Sequence, residues 1–140
     1  MSGQPVDREL GRGLGLFNRG LFFDAHEVLE DVWRAAPADS ALRLHLQGMV
    51  QLAVAFHHHS TGNLVGARSV LERGMRNLTG GDRSFPDLDL DRLHTELESW
   101  RRYLNDRANA PNHAPNHAPH DAPHDARHHS PALPKILLRR

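Results

Sequence analysis

His26, Glu30 and Trp33 stand at i, i+4 and i+7 within the segment Phe23-Asp24-Ala25-His26-Glu27-Val28-Leu29-Glu30-Asp31-Val32-Trp33. On a helix they form one stripe, because each residue advances about 100° and His26 and Trp33 project within about 20° of each other. Ala25, Val28, Leu29 and Val32 define the apolar face of that helix, so the stripe lies at one margin of a core. Imidazole nitrogen and carboxylate oxygen are ordinary ligands for zinc, manganese or iron, and two residues one turn apart can reach one ion. The same spacing also suits a plain hydrogen bond or ion pair, which contributes roughly 0.2–0.5 kcal/mol when exposed. Trp33 would pack one turn along and shield the pair.

A catalytic metal centre needs a third protein ligand and an open position for water. The following helix offers Gln47, Gln51 and His58 on one narrow stripe, spread over about 40° in projection. A hairpin through Pro37-Ala38 would bring Gln47 and Gln51 level with Glu30 and His26, with His58 toward the far end. His57, one residue earlier, projects about 100° from His58, beside Phe56 and Ala53. The run His57-His58-His59 cannot act as one unit, because successive helical side chains point in different directions. The expected metal set is therefore His26, Glu30 and His58. Trp33, Gln47, Gln51 and His57 would surround it, and no residue is assigned a catalytic role. Glu27 reads as a cap: Asp24-x-x-Glu27 is a capping box, with Phe23 and Val28 spaced as its hydrophobic staple. A helix start nearer Leu21 would remove that role.

The elements that must position these residues all read as helices. No stretch sustains a two-residue alternation bounded by turns. The first runs from Val6 to Arg19, with Leu10, Leu14 and Phe17 on one face, and Gly20 breaks it. The second covers Leu21 or Asp24 to Ala36 and stops before Pro37. The third spans Asp39 to Ser60 and ends at Thr61-Gly62. The fourth begins after Asn63 and reaches Leu78, with Ala67, Val70, Leu71, Gly74, Met75 and Leu78 at helical spacing. The fifth spans Asp87 to Arg107, with Leu90, Leu93, Leu97, Trp100 and Leu104 facing inward. Short connections favour antiparallel neighbours. The expected fold is all-α, a compact antiparallel bundle of about five helices in residues 1–107 with a disordered C-terminal tail, residues 108–140 forming a Pro/His-rich low-complexity segment.

The tail reads differently from the bundle. Residues 110–125 run APNH-APNH-APHD-APHD, and six of the nine prolines and six of the twelve histidines lie after Ala108. Proline every fourth residue blocks a continuous helix, and few apolar side chains remain to offset the entropy of ordering. Residues 108–134 are expected to be disordered or partly extended. Lys135-Ile136-Leu137-Leu138-Arg139-Arg140 can dock or pair, but is too short to assign.

Several function classes fall away. The 140 residues carry 17 basic and 17 acidic side chains, a balance that gives no electrostatic case for nucleic acid or an anionic membrane. With no cysteine there is no disulfide scaffold, thiolate zinc site or cysteine nucleophile. The longest apolar stretch, Val50 to Phe56, is too short to span a bilayer, and no signal peptide is visible. The expected setting is cytoplasmic, with a homo-oligomer or a protein partner left open. His-Glu-Val-Leu-Glu is not the zinc-protease helix motif, which requires a second histidine where Glu30 stands. No phosphate loop, nucleophile elbow or dinucleotide fingerprint occurs.

Taken together, Leu16-Phe17-Asn18-Arg19-Gly20, Ala25-His26-Glu27-Val28-Leu29-Glu30, Trp33, Gln47-Gly48, Gln51-Leu52-Ala53, His57-His58, Gly62-Asn63 and Gly66-Ala67 resemble the domain of unknown function 309 family over roughly residues 7–79. The family hallmark, His-x3-Glu-x2-Trp/Tyr, is matched at His26, Glu30 and Trp33. The resemblance implies an all-helical fold and the predicted metal-dependent hydrolase activity with which members are described. Two readings stand: an enzyme in which metal-bound water attacks a carbonyl or phosphoryl group, and a helical interaction module in which His26, Glu30 and Trp33 form a structural polar knot. Gly20-x4-Ala25 and Gly62-x4-Ala67 are similar helix openings, like those of tetratricopeptide hairpins. Their offset of 42 residues differs from the roughly 34 of that repeat.

Overall fold

A computed structural model describes residues 5–109 and 130–140. Five helices follow in order: α1 (Pro5–Asn18), α2 (Phe22–Ala35), α3 (Ala41–Ser60), α4 (Leu64–Asn77) and α5 (Leu90–Asn109), with a 3-10 turn at Gly81–Arg83 before α5. Each helix packs on the next, so the chain folds as an up-and-down all-α bundle. Among the described residues the only β feature is an isolated antiparallel bridge between Leu88 and Leu138.

The turns explain this layout. Gly20 takes φ 80°, a left-handed conformation that costs glycine nothing. The Leu21 amide then bonds the Leu16 carbonyl at 3.0 Å, and the Gly20 amide bonds that of Phe17 at 2.9 Å. This double closure satisfies the last carbonyls of α1 and turns the chain sharply. Gly62 repeats it at φ 86°, with Asn63 N on His58 O at 2.9 Å and Gly62 N on His59 O at 3.0 Å. Asn63 then caps α4, its Oδ1 accepting from the Gly66 amide at 2.9 Å.

The core runs along the bundle as a chain of aromatic edges. Phe17 meets Phe22 at 5.1 Å between ring centroids, Phe22 meets Phe56 at 5.4 Å, and Phe56 meets Trp100 at 5.0 Å. These rings tie α1, α2, α3 and α5 together. Such offset contacts add about 0.5–1.5 kcal/mol per pair beyond area burial. The α3–α4 pair is the closest-packed. A Cβ built on Gly48 would lie 2.9 Å from the Gly74 carbonyl oxygen, so the absence of side chains at both positions lets the two backbones meet.

Two expectations change at helix starts. Of the two starts expected for α2, Leu21 or Asp24, the structure takes the earlier: the helix begins at Phe22, and Leu21 is its N-cap without a side-chain bond. Asp24 therefore lies inside the first turn, and the Asp24–Glu27 capping box does not form. Burial of Phe22 between Phe17 and Phe56 draws the helix back to the Gly20 turn. Helix α5 starts at Leu90 rather than Asp87, because residues 87 and 89 are committed to backbone bonds with the chain end. Asp89 caps it, accepting from the Arg92 amide at 3.1 Å.

The tail also needs correction. The expectation of disorder over residues 108–134 lies outside the described residues for 110–129, but Ala108 and Asn109 close α5 and residues 130–134 pack on the bundle. Pro134 and Ile136 are buried there, with Ile136 only 3% exposed.

Candidate functional site

The stripe on α2 forms as its spacing requires. His26 Nε2 lies 3.4 Å from Glu30 Oε1, and Glu30 Oε2 lies 3.2 Å from Arg34 Nη2. Arg34 also reaches Asp31 at 3.2 Å. The result is a charged ladder on the half-exposed edge of α2, with the side chains of His26 and Glu30 27% and 32% exposed. Trp33 lies one turn along, half-buried against the core. The Arg43 guanidinium sits 4.5 Å from its ring centroid. Its indole Nε1 is buried with no hydrogen-bond partner.

Helix α3 presents a different face to this ladder than the phase of its polar residues suggests. At one end of the α2–α3 pair Arg43 covers Trp33, and at the other His57 stacks on Phe23 at 5.4 Å between centroids. Phe23 also borders His26 at 6.1 Å. The α2-facing stripe of α3 therefore passes through Arg43 and His57. Gln51 turns to α4 instead, where its Oε1 accepts from Asn77 Nδ2 at 2.7 Å. His58 points to the α3–α4 turn, its Nδ1 3.4 Å from Asn63 Nδ2. Gln47 is half-buried. Glu27 is exposed on the polar side of α2.

His26 and Glu30 are thus brought together, His57 approaches them across the Phe23 ring, and His58 belongs to another contact. Among the described residues no three His, Asp or Glu side chains form a group that could hold a metal ion. The donor chemistry of the His26–Glu30 pair suits a divalent ion, but a pair alone falls short of the three ligands of a catalytic zinc site.

Three other histidines complete the picture. His45 is the one buried polar residue of the core among the described residues. Its Nδ1 lies 2.6 Å from Ser84 Oγ, and its ring meets the edge of Phe85, which ties the loop before α5 to α3. Its neighbours Leu44 and Leu46 hide it in an apolar run, so only the position, not the partner, could be read from the sequence. His59 packs edge-on against Trp100 at 4.8 Å. Burial, and secondarily the charge of Arg107, hold its pKa below the usual histidine value. His94 and Glu98 repeat the His-x3-Glu spacing on α5, 3.7 Å apart. Hydrogen bonding from Arg101, foremost, holds the Glu98 carboxyl below the usual range. This second pair was detectable by spacing alone, and it shows how readily that spacing produces a surface ion pair.

Concave surface lies on the α4–α5 side. One hollow of about 310 Å³ is lined by Glu72, Arg76, His94, Glu98 and Arg101. A second, of about 450 Å³, lies by Leu78, Asp82, Leu90, Asp91 and Arg139. Neither is lined by His26, Glu30 or Trp33.

Fold and site together define a small all-α bundle with a His-x3-Glu-x2-Trp stripe on its second helix. The family resemblance is borne out: the family model described as Domain of unknown function (DUF309) matches residues 10–70. The chain is similar to the "Uncharacterized protein YpuF" of Bacillus subtilis (strain 168), 37% identical over 70 residues, half of this chain and 40% of that protein. It is also similar to an "Uncharacterized protein" of Aquifex aeolicus (strain VF5), 26% identical over 82 residues, 59% of this chain and 24% of that protein. The chain therefore spans less than half the length of either relative. Among the described residues no helix is long and apolar enough to cross a membrane.

Proposed function

We propose that this chain is a non-enzymatic helical interaction module, in which His26 and Glu30 form a half-exposed polar ladder with Arg34 beside the half-buried Trp33. The observation that carries this reading is the engagement of Glu30. One carboxylate oxygen faces His26 and the other faces Arg34. A carboxylate with both oxygens spoken for by side chains of its own helix is a surface ladder. Phe23 supplies the contact surface: it is 50% exposed, set between the rings of His26 and His57. An exposed aromatic ringed by polar groups is the composition of a protein-binding anchor.

A second reading, a divalent zinc or manganese ion in a metal-dependent hydrolase, draws on one distance. The 3.4 Å between His26 Nε2 and Glu30 Oε1 is close to the roughly 3.3 Å edge of a tetrahedron with ligands at about 2.0–2.1 Å. One experiment separates the two. Untagged full-length protein, with the six histidines after Ala108 replaced by asparagine, is assayed for metal content and thermal unfolding, with and without His26→Ala. The interaction-module reading expects no stoichiometric zinc or manganese and a Tm indifferent to chelator. One equivalent of either metal that disappears in His26→Ala would overturn it. The binding role is tested with a photo-crosslinking residue at position 23. A captured partner, once purified, must rebind the wild type and lose binding to Phe23→Ser at unchanged helical signal.

A further inference from the structure

The last eleven residues lie on the bundle as an extended peptide lies in a receptor. Asn18, the final residue of α1, closes two hydrogen bonds on one residue of the segment: its Nδ2 donates to the Ile136 carbonyl at 2.9 Å, and its Oδ1 accepts from the Ile136 amide at 2.7 Å. Trp100 Nε1 donates to the Ala132 carbonyl at 2.9 Å, and Glu96 Oε1 accepts from the Lys135 amide at 3.1 Å. Beyond Ile136 the segment pairs with the backbone before α5, Asp89 N to Leu137 O at 2.8 Å and Arg139 N to Asp87 O at 2.7 Å. All six bonds hold the backbone of the segment. Its side chains contribute at two alternate positions, Pro134 and Ile136, both buried, while Lys135, Leu138, Arg139 and Arg140 are exposed.

Backbone bonding plus pockets for alternate side chains is how extended peptides are recognised by strand addition. The groove is built from two helices and a loop that the chain brings together: Asn18 from α1, Glu96 and Trp100 from α5, and residues 87–89. Twenty residues, 110–129, separate the segment from the end of α5.

We propose that this groove is a peptide-binding site for extended segments carrying a Pro-x-Ile pattern, and that residues 130–140 are its built-in occupant. The same sequence supplied on a separate chain competes for it. The site is carried by residues other than the Phe23 surface and stands whether or not that surface binds a partner.

The test uses the full chain with a protease site placed within residues 110–129, cleaved after folding. The released C-terminal piece is expected to co-elute with the bundle on size exclusion at high concentration and to leave on dilution. A fluorescein-labelled peptide of residues 130–140 then binds the nicked protein saturably, shifting Trp100 emission. It binds the uncleaved protein at least about tenfold more weakly, because the tethered segment competes at high effective concentration. A peptide with Ile136→Ser, and nicked protein with Asn18→Ala, each lose about tenfold in affinity, as expected when a paired backbone group or a filled pocket is lost. Two results overturn the proposal: no saturable peptide binding by a nicked protein that keeps its helical signal, or loss of that signal on cleavage, which would make the segment an inseparable part of the core.

Discussion

Arg43 and Trp33 join the ends of α3 and α2. The guanidinium lies 4.5 Å from the centroid of the indole, and its Nη1 donates to the Ala36 carbonyl at 3.1 Å, at the C-terminal end of α2. One side chain thus covers the Trp33 ring and satisfies a carbonyl that the helix leaves open. Arg43→Lys keeps the charge but loses the planar stacking and the fixed fork. It is expected to cost about 1 kcal/mol in urea unfolding. A loss no larger than that of an exposed arginine such as Arg12 would show that the stacking contributes nothing.

The His26–Glu30 pair is half-open to solvent, so its own contribution is small. A double-mutant cycle with His26→Ala and Glu30→Ala is expected to give a coupling below about 0.5 kcal/mol. A coupling above about 1 kcal/mol would mean that the pair is tied into a buried network.

Glycines in the chain divide by what surrounds them. Gly48→Ala places a Cβ 2.9 Å from the Gly74 oxygen and 2.9 Å from the Leu78 nitrogen, so α4 must move away. The expected loss is about 1–3 kcal/mol. Gly15→Ala, within α1 with nothing inside 4 Å of the new methyl, is expected to stabilise by about 0.5–1 kcal/mol through helix propensity. Thermal denaturation of the two variants should move in opposite directions.

His59 gives the bundle an acid sensitivity. Burial, and after it Arg107, lower its pKa in the folded state, so the unfolded chain takes up the proton first as pH falls. Stability therefore declines as pH drops through about 6.5, the unfolded value, and levels off below the folded one. In His59→Phe, which keeps an aromatic edge against Trp100, the slope of Tm between pH 7 and 5 should be shallower. An unchanged slope would assign the acid sensitivity to other groups.

Much of this was legible in the chain. The helices announce themselves through apolar residues at three-four spacing, and Gly20, Pro37 and Gly62 mark where they stop, because these residues act locally on backbone geometry. The His26–Glu30 contact follows from i,i+4 spacing alone. The third-ligand assignment to His58 relied on something no single helix contains. Helix α3 is apolar nearly all round, with His45, Leu46, Met49, Leu52, Ala53, Ala55 and Phe56 buried. Its internal phases could be read, but not which phase would meet α2.

That rotation goes with the close approach of Gly48 and Gly74, which is met with Gln51 toward Asn77 and with Arg43 and His57 facing α2. The place of the chain end was decided in the same way. Pro134 and Ile136 carry a faint two-residue pattern, but the groove that receives them exists only where Asn18, residues 87–89 and Trp100 converge. Sequence alone determined the helices, their breaks and the one-turn contacts, since those depend on neighbours within a few residues. Only the tertiary structure decided which faces meet, since that depends on how backbones far apart in the chain fit against one another.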